Sequence, residues 1–118
     1  MVTTARYATL LALLMLPATG LPARAAGFDC KKAEAPDERM ICGDRELNDQ
    51  DVELSVLYTQ LKPLLAMGAR GELEDGQVAW LKRRRACGDD RACLAKAYAD
   101  RLLQLRGAFD ELAKRGPF

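Results

Sequence analysis

Four cysteines, spaced as two close pairs, constrain the fold of this chain of 118 residues more than any other feature. Eleven residues separate Cys30 from Cys42, five separate Cys87 from Cys93, and a long gap divides the two pairs. Three disulfide pairings are possible, and we expect the two local ones, Cys30–Cys42 and Cys87–Cys93. A zinc site is disfavoured, because such sites use shorter CxxC-type spacings and a reducing compartment.

The N-terminal segment indicates the oxidising compartment that disulfides need. A continuous apolar run covers residues 7–16, and Ala23 and Ala25 fit the small-x-small pattern of a signal-peptidase site. The run is half of the roughly 20 apolar residues that span a bilayer, which argues against a membrane anchor. We predict a signal peptide over residues 1–25 and one domain over residues 26–118. The mature chain would be periplasmic or secreted and would have no transmembrane segment.

Charge and residue types exclude several classes of function. Removing Arg6 and Arg24 with the signal peptide leaves 16 basic residues against 17 acidic ones, a formal charge of −1. This balance gives no electrostatic basis for binding nucleic acid. The chain has no histidine, and Ser55 is the only serine of the mature part, so the common nucleophile–base dyads are missing. We predict a protein that is not an enzyme and uses no cofactor and no metal.

Leucine periodicity predicts four helices, and nothing in the mature chain reads as a strand. The first helix covers residues 36–42, with acidic residues in its first turn, where the helix dipole favours them. The second begins after the N-cap Asp44 and ends near Pro63. The third covers residues 72–86 and the fourth about residues 90–114. Short loops favour antiparallel neighbours, so we expect an all-α antiparallel bundle of three to four helices.

Charged residues fall on or beside the apolar stripes of these helices. A buried charge is costly unless it is paired. Asp51, Arg84 and Arg101 are therefore expected to form a structural ion-pair cluster that fixes the register of the helices. Tyr58 or Tyr98 would supply a hydrogen bond to it. The alternative is that these residues form a binding site.

Four consecutive cations occupy residues 82–85. The run wraps nearly a full helical turn, so Arg84 would point inward while Lys82, Arg83 and Arg85 would form an exposed cationic patch. Such a patch can serve solubility alone. It can also contact an anionic surface, such as a carboxylate-bearing enzyme cleft, peptidoglycan or lipid phosphates.

One ordered set of cysteines, aromatic residues, acids, leucines and arginines covers most of the mature chain. Its members are Phe28, Asp29, Cys30, Glu38, Ile41, Cys42, Leu47, Asp51, Tyr58, Gln77, Trp80, Leu81, Arg84, Cys87, Cys93, Leu94, Tyr98, Arg101, Leu102 and Leu105. In this order and spacing they resemble the LprI-type family, which is named after a mycobacterial lysozyme inhibitor. The resemblance implies an exported helical domain with two disulfides and, through the family's name, lysozyme inhibition. Arg85 departs from the pattern, which often has an acidic residue there.

The resemblance suggests a role for the segment between the second and third helices. Gly68 and Gly71 predict a turn, and Arg70 lies between them. A slim turn could enter a lysozyme cleft and pair its arginine with the catalytic carboxylates. We expect a protein partner, which the resemblance suggests is lysozyme. The alternative is an accessory module of the cell envelope that binds another protein or a cell-wall polymer without inhibiting anything.

Overall fold

The computed structural model describes residues 27–116 and places most of them in four α-helices. These are α1 (Pro36–Gly43), α2 (Arg45–Leu61), α3 (Met67–Ala86) and α4 (Arg91–Ala113). Two short 3-10 helices, Cys30–Lys32 and Lys62–Leu64, precede α1 and follow α2. No strand occurs within residues 27–116, and the predicted all-α class is confirmed. The predicted signal peptide, residues 1–25, lies outside the described residues.

Capping side chains and one proline set the limits of the helices. Asp44 Oδ1 accepts the N–H of Leu47 at 3.0 Å at the start of α2, and Asp90 Oδ1 accepts that of Cys93 at 3.0 Å at the start of α4. At the other end of α2, the chain tightens into the 3-10 helix that contains Pro63, whose ring is incompatible with the interior of an α-helix.

The turn predicted between Gly68 and Gly71 is wrong. α3 begins at Met67, so both glycines lie in its first turns. Each glycine lowers helix propensity by about 1 kcal/mol relative to alanine. The buried Leu73 and Trp80 nevertheless hold α3 on the core, and extending a formed helix back over the glycines costs less than nucleating a new one.

The helix α3 runs antiparallel to both α2 and α4, as the short loops predict. The helices α2 and α4 therefore run parallel, and they share the most extensive interface. Arg91 at the start of α4 binds Asp44 at the start of α2, with 2.7 Å between Nε and Oδ2. Further along both helices, the Tyr98 hydroxyl reaches Asp51. α3 packs on α4 in the opposite direction, and α1 covers the end of the bundle where α2 begins.

The core draws on all four helices. Its fully or nearly fully buried members are Ile41, Leu47, Leu54, Leu61, Leu73, Trp80, Leu94, Tyr98, Leu102, Leu105 and Leu112. The periodic leucines therefore face inward, which is what makes these segments fold as a bundle rather than as isolated helices.

Both predicted disulfides are present. Cys30–Cys42 ties the N-terminal 3-10 helix to the end of α1, and Cys87–Cys93 closes the turn between α3 and α4. Gly88 lies in that second turn with a φ of +57°, a conformation that other residues rarely adopt. By restricting the unfolded chain, loops of 12 and 6 residues contribute about 2–3 kcal/mol each to the free energy of unfolding.

Candidate functional site

Two buried carboxylates and one buried guanidinium meet where α1, α2 and α3 converge. Arg84 Nε donates to Asp37 Oδ2 at 2.9 Å, and Arg84 Nη1 lies 3.6 Å from Asp51 Oδ1. Asp51 also accepts the Tyr98 hydroxyl on Oδ1 at 2.7 Å and the Gly27 N–H on Oδ2 at 2.6 Å. All four side chains are buried. We call Asp37, Asp51, Arg84 and Tyr98 the Arg84 cluster.

Aromatic rings shield this cluster from water. The guanidinium carbon of Arg84 lies 5.3 Å from the ring centre of Phe28 and 5.7 Å from that of Trp80, within the range of cation–π attraction. Trp80 packs edge-on against Tyr98, with 5.1 Å between ring centres. Its indole N–H donates to the carbonyl of Ala97 at 2.9 Å. Trp80 is therefore a buried core residue that fixes α3 on α4.

The environment of Tyr98 keeps its hydroxyl protonated. Burial, and then the negative charge of Asp51, raise the pKa of Tyr98 above its ordinary value. The hydroxyl therefore serves as a hydrogen-bond donor to Asp51. One carboxylate oxygen of the cluster, Asp37 Oδ1, is buried without a hydrogen-bond partner among the described residues.

The structure brings together three of the five residues predicted to form one polar cluster, namely Asp51, Arg84 and Tyr98. Placing Arg101 there is wrong: its guanidinium bonds to Gln77, Gln104 and the backbone of α3. The reason is helix direction. α4 runs antiparallel to α3, so the three-residue step from Tyr98 to Arg101 leads away from Arg84.

Tyr58 is half-buried and lies in a groove beside the Arg84 cluster. The sequence did not assign Asp37 to this cluster, nor Phe28 to the rings that shield it. Asp37 is attributed in the sequence only to the dipole of α1, yet it lies four residues before the buried Ile41 and so shares its inward face. Phe28 lies before any helix and offers no periodic signal.

An open groove of about 310 Å³ lies between α2 and α3, above the Arg84 cluster. We call it the α2–α3 groove. Eight of its twelve lining residues are among those that carry the family resemblance. Its lining is Gly27, Phe28, Glu38, Asp51, Leu54, Ser55, Tyr58, Gln77, Trp80, Leu81, Arg84 and Arg85.

An exposed stripe on α3 continues from the rim of this groove. Val78, Leu81, Lys82 and Arg85 are spaced as one face of a helix, and all four are exposed, with Val78 at 53% and Leu81 at 41%. Neither Lys82 nor Arg85 forms a salt bridge with the described residues. We call these four residues the outer face of α3. Arg83 is also exposed but lies on the side of α3 next to α4.

Arg70 occupies the first turn of α3 rather than a slim loop. Its side chain is exposed, and its guanidinium donates to the carbonyl of Leu65 at 3.2 Å. The prediction that this segment forms an inserting loop is therefore wrong, because α3 starts earlier than its glycines suggest.

Within residues 27–116, no group of three or more cysteine, aspartate or glutamate side chains is placed to hold a metal ion. In the same part of the chain, no helix combines the length and the apolar character needed to cross a membrane.

Residues 30–114 match the family described as lysozyme inhibitor LprI. The chain belongs to this family. Three relatives named lipoprotein LprI, from Mycobacterium bovis and from the CDC 1551 and H37Rv strains of Mycobacterium tuberculosis, are each 36% identical over 90 residues. The aligned part covers 74% of this chain and 44% of each relative, so the chain spans less than half the length of these relatives. No solved structure matches this chain.

The LprI match includes both disulfides and all four helices. Gly27 and Phe28, which contact the Arg84 cluster from the N-terminal side, lie just before it. The relatives are named lipoproteins. In this chain the sulfur of Cys30 is bonded to Cys42 and is therefore not available to carry a lipid.

Proposed function

We propose that this protein is exported to the periplasm or beyond, binds a lysozyme and inhibits it without catalysis by covering the glycosidase cleft. Membership of the lysozyme inhibitor LprI family supports the choice of partner. The absence of histidine from the sequence and the two disulfides support a non-catalytic, exported protein.

The observation that carries the proposal is the outer face of α3. It combines two exposed aliphatic side chains, Val78 and Leu81, with two cations, Lys82 and Arg85, that have no acidic partner in the described part of the chain. A lysozyme cleft contains a pair of carboxyl groups. A guanidinium can bind a carboxylate through two parallel hydrogen bonds, and the neighbouring aliphatic side chains would exclude water from that contact.

The rigidity of this face also favours binding. Arg84, in the middle of the same helical turn, is fixed by Asp37, Asp51 and two aromatic rings. The backbone that presents Leu81 and Arg85 is therefore ordered before any partner arrives, which lowers the entropy cost of association. On this account the Arg84 cluster is a structural support, and the contact itself lies outside it.

The first test is lytic activity. Purified, oxidised protein is added in increasing amounts to lysozymes of the c, g and i types acting on suspended cell walls. The proposal predicts a stoichiometric loss of activity for one of these classes. If all three classes retain full activity at excess protein, the inhibitor proposal is wrong. Co-sedimentation with the cell walls in the same experiment would then favour the envelope-module alternative.

Charge reversal on α3 locates the contact. Arg85→Glu should weaken inhibition by at least about tenfold, since it places a negative charge opposite the cleft carboxylates. Arg45→Glu is the matched control, because its side chain is 96% exposed at the start of α2 and the change in net charge is the same. Equal inhibition by both variants would contradict a contact at Arg85.

Arg70 is a second candidate contact, at the opposite end of α3. Arg70→Ala should weaken inhibition only if the cleft also reaches the first turn of α3. Measuring Arg70→Ala and Arg85→Glu in the same assay therefore tells which end of α3 faces the enzyme.

A further inference from the structure

The guanidinium of Arg101 is buried without an acidic partner. Its residue is 5% exposed, and no carboxylate of the described residues comes within 4.0 Å of it. Its partners are neutral: the side-chain oxygens of Gln77 and Gln104, each at 3.1 Å, and the carbonyl of Leu73 at 3.2 Å. These bonds use three of the five N–H groups that a guanidinium offers.

The backbone of α3 is adapted to this buried cation. A side chain at Gly76 would place its Cβ 3.1 Å from Nη1 of Arg101, which is tighter than ordinary contact, and 3.5 Å from Nη2, which is ordinary van der Waals contact. Glycine is disfavoured inside helices. Here it lets the guanidinium lie against α3 and leaves the other side of the group toward a groove.

That groove lies between the N-terminal half of α3 and the C-terminal half of α4 and has a volume of about 340 Å³. We call it the Arg101 groove. Half of its ten lining residues are aliphatic, and it shares no lining residue with the α2–α3 groove. The groove is also lined by the polar side chains of Glu72, Gln104, Glu111 and Arg115. Glu111 is paired with Lys114, with 2.6 Å between Oε1 and Nζ. The aliphatic members of the lining are Leu65, Ala69, Leu73, Leu105 and Ala108.

We propose that the Arg101 groove binds an aliphatic carboxylate of the fatty-acid class. The carboxylate would take the remaining N–H groups of Arg101 and supply the missing negative charge, and the alkyl chain would lie on Leu65, Ala69 and Ala108. A buried guanidinium gains most from an anion that neutralises it. The aliphatic side chains favour an apolar body on that anion. Glu72, on the groove lining, forms no salt bridge with the described residues, and its negative charge repels a dianion such as phosphate more strongly than a monoanion.

Octanoate is a suitable probe, added to the isotopically labelled, oxidised protein. The proposal predicts saturable NMR shifts of the Arg101 Nε–H and of backbone amides along the groove. Acetate has the charge without the chain, octan-1-ol has the chain without the charge, and inorganic phosphate is a dianion. Each should bind at least about tenfold more weakly than octanoate. Equal binding of acetate or phosphate would overturn the fatty-acid class, and no saturable shift with octanoate would overturn the site.

Variants separate the site from general adsorption. Arg101→Met should abolish octanoate binding, and Arg106→Met is its control, since Arg106 is exposed on the same helix and pairs with Glu53. Ala69→Glu tests the groove with an exposed substitution that spares the core, and it should weaken binding strongly. Its control is Ala79→Glu, which is exposed on α3 outside the groove. Binding that survives both Arg101→Met and Ala69→Glu would contradict the proposal.

Discussion

Arg84 and Arg101 are buried to the same extent, at 6% and 5% exposure, but their surroundings differ in charge. Arg84 lies between two carboxylates and two aromatic rings. Among residues 27–116, Arg101 finds only neutral acceptors, and burial lowers its pKa below the ordinary value. The two arginines therefore have different roles although they are equally buried. Arg84 joins three helices, whereas the charge of Arg101 has no acidic partner among the described residues.

The largest effect is expected from removing the compensated arginine. Arg84→Leu leaves Asp37 and Asp51 buried together without a cation, and we expect it to lower the free energy of unfolding by about 3–5 kcal/mol. Urea unfolding of the oxidised protein measures the change. A loss below about 1 kcal/mol would mean that the cluster does not hold the helices together.

A rescue variant sharpens that test. Adding Asp37→Asn and Asp51→Asn to Arg84→Leu removes the two stranded charges, while Asn can still accept hydrogen bonds at position 51. More than half of the lost stability should return, because most of the cost of breaking a buried pair comes from the charge left behind. If the triple variant is less stable than Arg84→Leu, the charges are not the cause.

The next largest effect concerns the hydroxyl that supports Asp51. Tyr98→Phe removes one hydrogen bond to a buried carboxylate, so unfolding should become easier by about 1.5–3 kcal/mol. Tyr58→Phe is the matched control, because Tyr58 is half-buried in the α2–α3 groove and outside the Arg84 cluster. The same urea titration should show a change within about 0.5 kcal/mol for Tyr58→Phe.

Alkaline pH should weaken the same contact. The folded-state pKa of Tyr98 is raised, so its stabilising contribution is complete below the unfolded pKa of about 10 and is lost as the pH rises above that value. Above that pH, the contribution of Tyr98 to the free energy of unfolding falls by up to about 1.4 kcal/mol per pH unit. The difference in the free energy of unfolding between the wild type and Tyr98→Phe should shrink between pH 9 and 11. This difference isolates Tyr98, because the other titrating groups are common to both proteins. A constant difference would contradict the assigned environment.

The smallest effect on stability is expected at the uncompensated arginine. Arg101→Met gives up three hydrogen bonds to neutral groups but also removes the cost of keeping an unpaired charge away from water. We expect these two effects to cancel, so that the free energy of unfolding measured in urea changes by less than about 1 kcal/mol. A loss as large as that of Arg84→Leu would show that both arginines stabilise the fold to the same extent, and it would contradict the difference in their roles.

The sequence was sufficient to predict the class of fold and both disulfides, because leucine periodicity and cysteine spacing are local signals. In the structure Asp51 and Arg84 lie together, and of the two tyrosines that the sequence left open, Tyr98 is the one that bonds to Asp51. Arg101 was misplaced because the level at which α4 packs against α3 depends on tertiary packing, which the sequence pattern does not give. The turn predicted at Gly68 and Gly71 is wrong, because the packing of Leu73 and Trp80 overrides the low helix propensity of the glycines.

The outer face of α3 shows the same limit from the other direction. The run at residues 82–85 predicts an exposed cationic patch. Only the structure shows that Arg83 faces the α4 side whereas Lys82 and Arg85 lie on the outer face. It also shows that Val78 and Leu81 are exposed on that outer face, beside the rim of the α2–α3 groove. The proposed contact surface therefore emerges from packing rather than from the charge run alone.

The most direct test of the account is whether the protein and an oligosaccharide compete for one lysozyme cleft. Binding of the oxidised protein to the lysozyme it inhibits is measured by calorimetry, with and without a saturating chito-oligosaccharide that occupies the cleft. The account predicts that the oligosaccharide weakens binding in proportion to its own occupancy. Binding of unchanged affinity when the cleft is full, or no binding to any lysozyme, would contradict it.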